Sequence, residues 1–98
     1  MAQVIKEQNR WLLSGDITLQ NLDALLAERS ALASVKVLEV DLSGVTDVDT
    51  ASISLLFEWL RSAMAHGVQL SYSHLPANLV SLATLYGVEH VIPQATHV

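Results

Sequence analysis

The sequence predicts a small mixed α/β domain, a single unit over residues 1–98 with the element order β-β-α-β-α-β-α. Three observations carry that reading. Apolar residues recur at the helical spacing i, i+3, i+4, i+7 in three separate stretches. Short runs rich in β-branched and aromatic residues precede and separate them. Two strand–helix–strand units follow one another, which favours parallel neighbours with right-handed crossovers. A hairpin before them adds an antiparallel part, so the expected product is a small mixed sheet with helices packed on it.

Each element has its own signal. Gln3 to Ile5 is a short strand candidate, Glu7-Gln8-Asn9 is a polar turn, and Trp11-Leu12-Leu13 pairs back as the second strand of a hairpin. Ser14-Gly15-Asp16 breaks the pattern. Thr18 reads as an N-cap, and Leu19, Leu22, Leu25, Leu26, Arg29 and Ala33 then keep helical spacing, placing helix one over Thr18 to about Ala33. Val35 to Asp41 is the central strand, and the stretch after it reads as a loop entering helix two, Thr50 to His66. The expected core face of that helix is Ile53, Leu56, Phe57, Leu60 and Met64, with Gly67 as its stop. Val68 to Tyr72 alternates apolar and polar residues and is a strand. Pro76 opens helix three, whose expected core face is Leu79, Leu82, Ala83 and Tyr86. Gly87 ends it, and Val88 to Ile92 forms a short closing segment.

Composition excludes several function classes. The net charge is −5, and the five cations (Lys6, Arg10, Arg29, Lys36, Arg61) are spread along the chain. Without a basic patch, neither nucleic acid nor an anionic lipid surface is an expected partner. A protein with a basic surface is the better expectation. The absence of cysteine rules out disulfides, thiolate zinc sites and thiol nucleophiles, and fits a reducing compartment. The N-terminus lacks the charged and apolar regions of a signal peptide. The most apolar stretch, Ile53 to Met64, is interrupted by Ser54, Glu58, Arg61 and Ser62 and does not insert in a bilayer. A soluble, cytoplasmic protein is expected.

No catalytic cluster emerges. His66, His74, His90 and His97 match no metal-binding spacing, and Gly15, Gly44, Gly67 and Gly87 form no phosphate-binding loop. Asp47 and Asp49 lie two apart, so they point the same way in an extended segment, but they read as solvated loop acids. No catalytic residue, metal or cofactor is expected.

One stretch stands out, Asp49-Thr50-Ala51-Ser52 at the entry to helix two. Asp49 or Thr50 can accept a hydrogen bond from a first-turn N–H, and a carboxylate suits the positive end of the helix. Such a capped entry also presents a hydroxyl held rigidly. Farther along, Leu55 and Trp59 fall outside the expected core face, on one flank with Ser52 and His66. They either pack under a neighbouring helix or form an exposed contact, where Trp is a favoured hot-spot residue.

The stretches "VKVLEVDLSGVTDVDTASISLLFEWLRSAMAHG" and "VQLSYSHLPANLVSLATLYGVEHVIP", with the earlier "LSGDIT", resemble the STAS domain, the SpoIIAA-like fold of anti-sigma factor antagonists. The resemblance covers about residues 3 to 93. "VDTASISLLFEWL" and "LATLYGVEHVIP" are most similar to the MlaB subgroup, small STAS subunits of Mla phospholipid-transport ABC complexes. By this resemblance Asp49 matches the family's aspartate, and Thr50 matches the Ser or Thr that anti-sigma factor antagonists have phosphorylated. Ala51 replaces a second hydroxyl, and Ser52 stands where the family often has Gly. The resemblance implies a non-catalytic subunit that regulates an ABC-transporter ATPase, held at the inner membrane through the complex. Asp49, Thr50, Ser52, Leu55 and Trp59 are the expected partner contacts. The alternative it implies is an anti-sigma factor antagonist that captures a serine kinase while Thr50 is unphosphorylated. Phosphorylation would add about −1.5 to −2 charges beside Asp47 and Asp49 and would be expected to release the partner. Isolated molecules can be expected to pair through the same surface as a homodimer.

Overall fold

The computed structural model describes residues 2–95, so His97 lies outside the described residues. Strands β1 (Gln3–Lys6), β2 (Arg10–Ile17), β3 (Val37–Val48) and β4 (Gln69–Ser73) form one sheet in the order β1-β2-β3-β4. β1 and β2 pair antiparallel, as the hairpin reading required, whereas β2–β3 and β3–β4 are parallel. Helices α1 (Leu22–Ala27), α2 (Thr50–Ala65) and α3 (Ala77–Leu85) follow in the expected positions.

Strand alternation sorts the sheet into two faces. Trp11, Leu13, Leu38, Val40, Leu70 and Tyr72 are buried on one. Helix α2 lies over that face: Trp59 meets Trp11 edge to face at 5.7 Å, and the Tyr72 hydroxyl donates to the Leu56 carbonyl at 2.8 Å. The other face carries Arg10, Glu39, Asp41, Ser71 and Ser73. The outer edge of β4 is closed by the C-terminal segment, with Tyr72 N–H on the Pro93 carbonyl and Ala95 N–H on that of Tyr72, both at 2.8 Å.

β2 and β3 are both longer than the sequence pattern predicts. Ser14-Gly15-Asp16 does not end β2, and the segment expected to be a loop continues β3 as far as Val48. The two strands stay paired from Arg10↔Glu39 to Ile17↔Val48, with register shifts between Leu12 and Ser14 and between Gly15 and Ile17. At each shift β3 carries one residue more than β2, which breaks the alternation that marks a strand in sequence. Gly44 marks the first irregularity, because a Cβ there would stand 2.7 Å from Ser14 Cβ and 3.3 Å from Ser14 Cα. Gly44→Ala is therefore expected to cost about 1–3 kcal/mol through forced separation of β2 from β3. Urea denaturation of the variant measures this directly.

Helix one is shorter and tighter than expected. Only Leu22–Ala27 is α-helical, between 3-10 turns at Leu19–Asn21 and Glu28–Ser34. Ser30 and Ser34 donate their hydroxyls to the carbonyls of Ala27 and Ala31, three residues back, a local bond that competes with α-helical pairing. Three residues per turn rotates the later positions. Leu32 is thereby buried instead of Ala33, and Leu19 is left 72% exposed.

Helix α2 has the expected span but a different buried face. The buried residues are Ala51, Ser52, Leu55, Leu56, Trp59 and Ala63. The face is rotated by one residue, roughly 100°, from the one expected. The cause is the indole of Trp59: it is fully buried, and its N–H donates to the Leu25 carbonyl at 3.1 Å. Ile53, Phe57 and Leu60 pack at the edge of the core, and Met64 is 79% exposed. Gly67 (φ +70°) ends the helix, with Gly67 N–H on the Met64 carbonyl and Val68 N–H on that of Ala63. The same bond pattern closes α3 at Gly87 and Val88. There Tyr86, expected in the core, stands at the helix C-cap and is 54% exposed.

Candidate functional site

The entry to α2 is built where β3 stops. Asp49 N–H still bonds to the Ile17 carbonyl at 3.3 Å, ending the ladder, and its backbone is extended. Its carboxylate then serves two elements at once. Oδ1 accepts the Ala51 N–H at 2.8 Å, capping α2, and Oδ2 accepts the Leu19 N–H at 3.0 Å, holding the start of the helix-one segment. Asp49 is thus the cap that the sequence pattern allowed, and it fixes the position of Thr50.

The neighbouring side chains divide sharply. Thr50 is exposed, and its hydroxyl makes no hydrogen bond among the described residues. Ala51 is buried, and Ser52 is fully buried, its hydroxyl donating to the Asp49 carbonyl at 2.7 Å. Leu55 and Trp59 are also fully buried. Three expected partner contacts, Ser52, Leu55 and Trp59, are therefore core residues that a docking protein would not reach. The rotation of α2 explains this: burying Trp59 turns Ser52 and Leu55 inward with it, while His66 at the helix end stays exposed, and turns Ile53, Phe57, Leu60 and Met64 toward the helix edge.

Two open clefts flank Thr50. One, of about 400 Å³, is lined by Thr50, Ile53, Ser54 and Tyr86. The other, of about 410 Å³, is lined by Asp16, Thr18, Leu19, Gln20, Asp47 and Asp49. Asn78 of α3 donates its amide to the Thr46 carbonyl at 2.9 Å, tying α3 to the strand that leads into the site. Ile53, Ser54 and Tyr86 were not anticipated as site residues. The available signal for Tyr86 was the glycine immediately after it, which puts the tyrosine at a helix end and not on a core face.

A separate polar network covers the outer sheet face. Buried Asp41 accepts the Ser43 N–H at 2.8 Å, pairs with Arg10, and lies 3.2 Å from His74 Nδ1. Glu39 is 3.5 Å from Arg10 and accepts the Ser73 hydroxyl at 2.6 Å. Burial alone would raise the Asp41 pKa. The Ser43 hydrogen bonds and the charges of His74 and Arg10 outweigh it and hold the carboxyl below its ordinary value. A depressed carboxyl pKa adds stability that is present above the unfolded value of about 3.9 and is lost as pH falls through the folded value. Wild type should accordingly lose stability on acidification below about pH 4, and Asp41→Asn should show a flatter profile. At neutral pH the variant should be weaker by about 1.5–3 kcal/mol, measured by urea denaturation across pH. The network bridges β2, β3 and β4 and is satisfied internally.

Among the described residues no group of His, Asp and Glu is placed to hold a metal ion, and no helix is long and apolar enough to cross a membrane. His66 binds the Ser62 carbonyl at 2.8 Å, and His90 is exposed.

No curated protein matches the chain significantly by sequence. Solved structures do match by fold. The unphosphorylated anti-sigma factor antagonist SpoIIAA aligns with a TM-score of 0.75 at 12% identity, over 99% of this chain and 90% of that one. An anti-sigma factor antagonist from Mycobacterium paratuberculosis gives 0.75 at 17% identity, over 100% and 86%. A sulfate transporter family protein from Wolinella succinogenes gives 0.70 at 17% identity, over 92% and 75%. The sequence profile described as "Mlab, STAS domain" matches residues 6–93, nearly the whole chain, and the protein therefore belongs to the STAS domain family.

Proposed function

We propose that this chain is a non-catalytic STAS subunit that binds and regulates the cytoplasmic ATPase of an Mla-type phospholipid ABC transporter, the class of complex that maintains outer-membrane lipid asymmetry. The observation that carries this reading is the Mlab-described family profile, which spans both the β3–α2 entry and α3. The site agrees with it in kind. It is an exposed hydroxyl on a rigid helix entry between two shallow clefts, a surface suited to a flat protein contact. In this reading Thr50 is the contact residue and Asp49 is its positioning residue. The chain resides on the cytoplasmic side, peripheral to the inner membrane through its complex. Reconstitution of the transporter with and without the chain tests the regulatory role. ATP turnover that depends on the chain supports it, and turnover that is the same in its absence contradicts it.

A second reading is an anti-sigma factor antagonist switched by phosphorylation of Thr50. The likeness to SpoIIAA and the outward placement of Thr50 favour it. The two readings differ in partner, a transporter ATPase against a serine kinase, and share the same contact residue.

A further inference from the structure

We propose that the face around Thr50 is a two-part docking surface. It would take a partner segment that sets an aromatic or branched apolar side chain against Ile53 and Tyr86 and a lysine or arginine against Asp47. The inference rests on the reading that Thr50 sits in a protein contact and specifies the chemistry of what meets it.

The first part is the cleft between α2 and α3. The rotated core face of α2 leaves Ile53 at its edge, and Tyr86 projects from the C-terminal end of α3, 54% exposed. Tyrosine so placed combines a rigid apolar ring with a polar tip, the character of an interface anchor. Leu85, beside it, is 77% exposed, which extends the apolar area. The second part is the acidic cleft on the other side of Thr50, where Asp16, Asp47 and Asp49 gather around Leu19, itself 72% exposed. Both oxygens of Asp49 are committed to backbone N–H groups. Asp47 is exposed and makes no ion pair among the described residues.

Thr50 and Asp49 are consecutive residues on the rims of the two clefts, so one short segment can span both. Charge selects the occupant. The chain carries a net charge of −5 with five lysines and arginines, none of which lines the acidic cleft, and Asp47 there makes no ion pair among the described residues. A second copy would bring the same carboxylates to the contact and oppose like charges. A basic segment of a different protein neutralises Asp47, and its apolar neighbour fills the α2–α3 cleft.

The test is a selection of random peptides of about twelve residues, displayed on phage, against the purified chain. The expected winners carry net positive charge, with an aromatic or branched residue next to lysine or arginine. Their affinity should fall as salt rises. The best synthetic peptide should bind Tyr86→Ala and Asp47→Lys each at least about tenfold more weakly, with both variants melting like wild type. No enrichment, enrichment of neutral or acidic peptides, or equal binding to both variants overturns the proposal. The selection contains no ATPase, so its failure removes the two-part surface and leaves the transporter reading standing. Basic winners together with no ATPase captured from cells would do the reverse.

Discussion

Trp59→Ala is expected to destabilise the domain by about 3–5 kcal/mol, the largest effect on stability of any substitution considered. The side chain is fully buried and meets Trp11 edge to face at 5.7 Å. Its N–H donates to the Leu25 carbonyl of α1, which also accepts the Glu28 N–H. Truncation therefore opens a cavity, removes one of the two hydrogen bonds to the Leu25 carbonyl and loosens helix one from α2. Against a total stability of roughly 5–15 kcal/mol for a domain, such a loss lowers the melting temperature by more than about 12 °C. Trp59→Phe keeps most of the volume but loses the hydrogen bond, and should cost less, about 1–2 kcal/mol. Thermal and urea unfolding followed by circular dichroism measure both. A Trp59→Ala variant within about 0.5 kcal/mol of wild type would mean that the indole lies on the surface after all.

Thr50→Glu is expected to have the opposite profile, a stability close to wild type and a loss of partner binding by tenfold or more, about 1.4 kcal/mol. The position is exposed, and a carboxylate in the first turn of α2 suits the positive end of the helix. Folding should change by no more than about 0.5 kcal/mol. A docked protein, by contrast, would have to bury a longer, charged side chain at the centre of the contact, where its bulk and its desolvation oppose close packing. Thr50→Ala isolates the hydroxyl: retained binding by that variant would assign the loss in Thr50→Glu to charge and bulk, whereas loss in both would assign it to the missing hydroxyl. Thr50→Ser should bind like wild type.

The sequence made the architecture legible because period-two and period-3.6 patterns survive in most elements. The hairpin, the parallel order and the glycine stops at Gly67 and Gly87 follow from them. What escaped had physical causes. The bulges of β3 disrupt alternation, so Leu42 to Val48 reads as a loop although β2 pairs with it along its length. In α2, apolar residues occupy more than one face, and spacing alone cannot say which face is inside. The deciding feature is the carbonyl of Leu25, 34 residues away in the chain, which gives the Trp59 N–H a buried partner. That long-range bond turned Ser52, Leu55 and Trp59 from candidate contacts into core. Asp49 and Thr50 were legible because a cap and an exposed hydroxyl are set by the first turn itself. Tyr86 and Ile53 join the site only through the packing of α3 against α2, which no local pattern encodes.

The most direct measurement is affinity capture of the tagged chain from its own cells in mild detergent, wild type beside Thr50→Glu, with mass spectrometry of the proteins retained. Co-purification of an ABC ATPase and its permease with wild type, lost in Thr50→Glu, is the predicted result. Capture of a histidine-kinase-like anti-sigma factor instead, or an ATPase retained equally by both forms, would contradict the account.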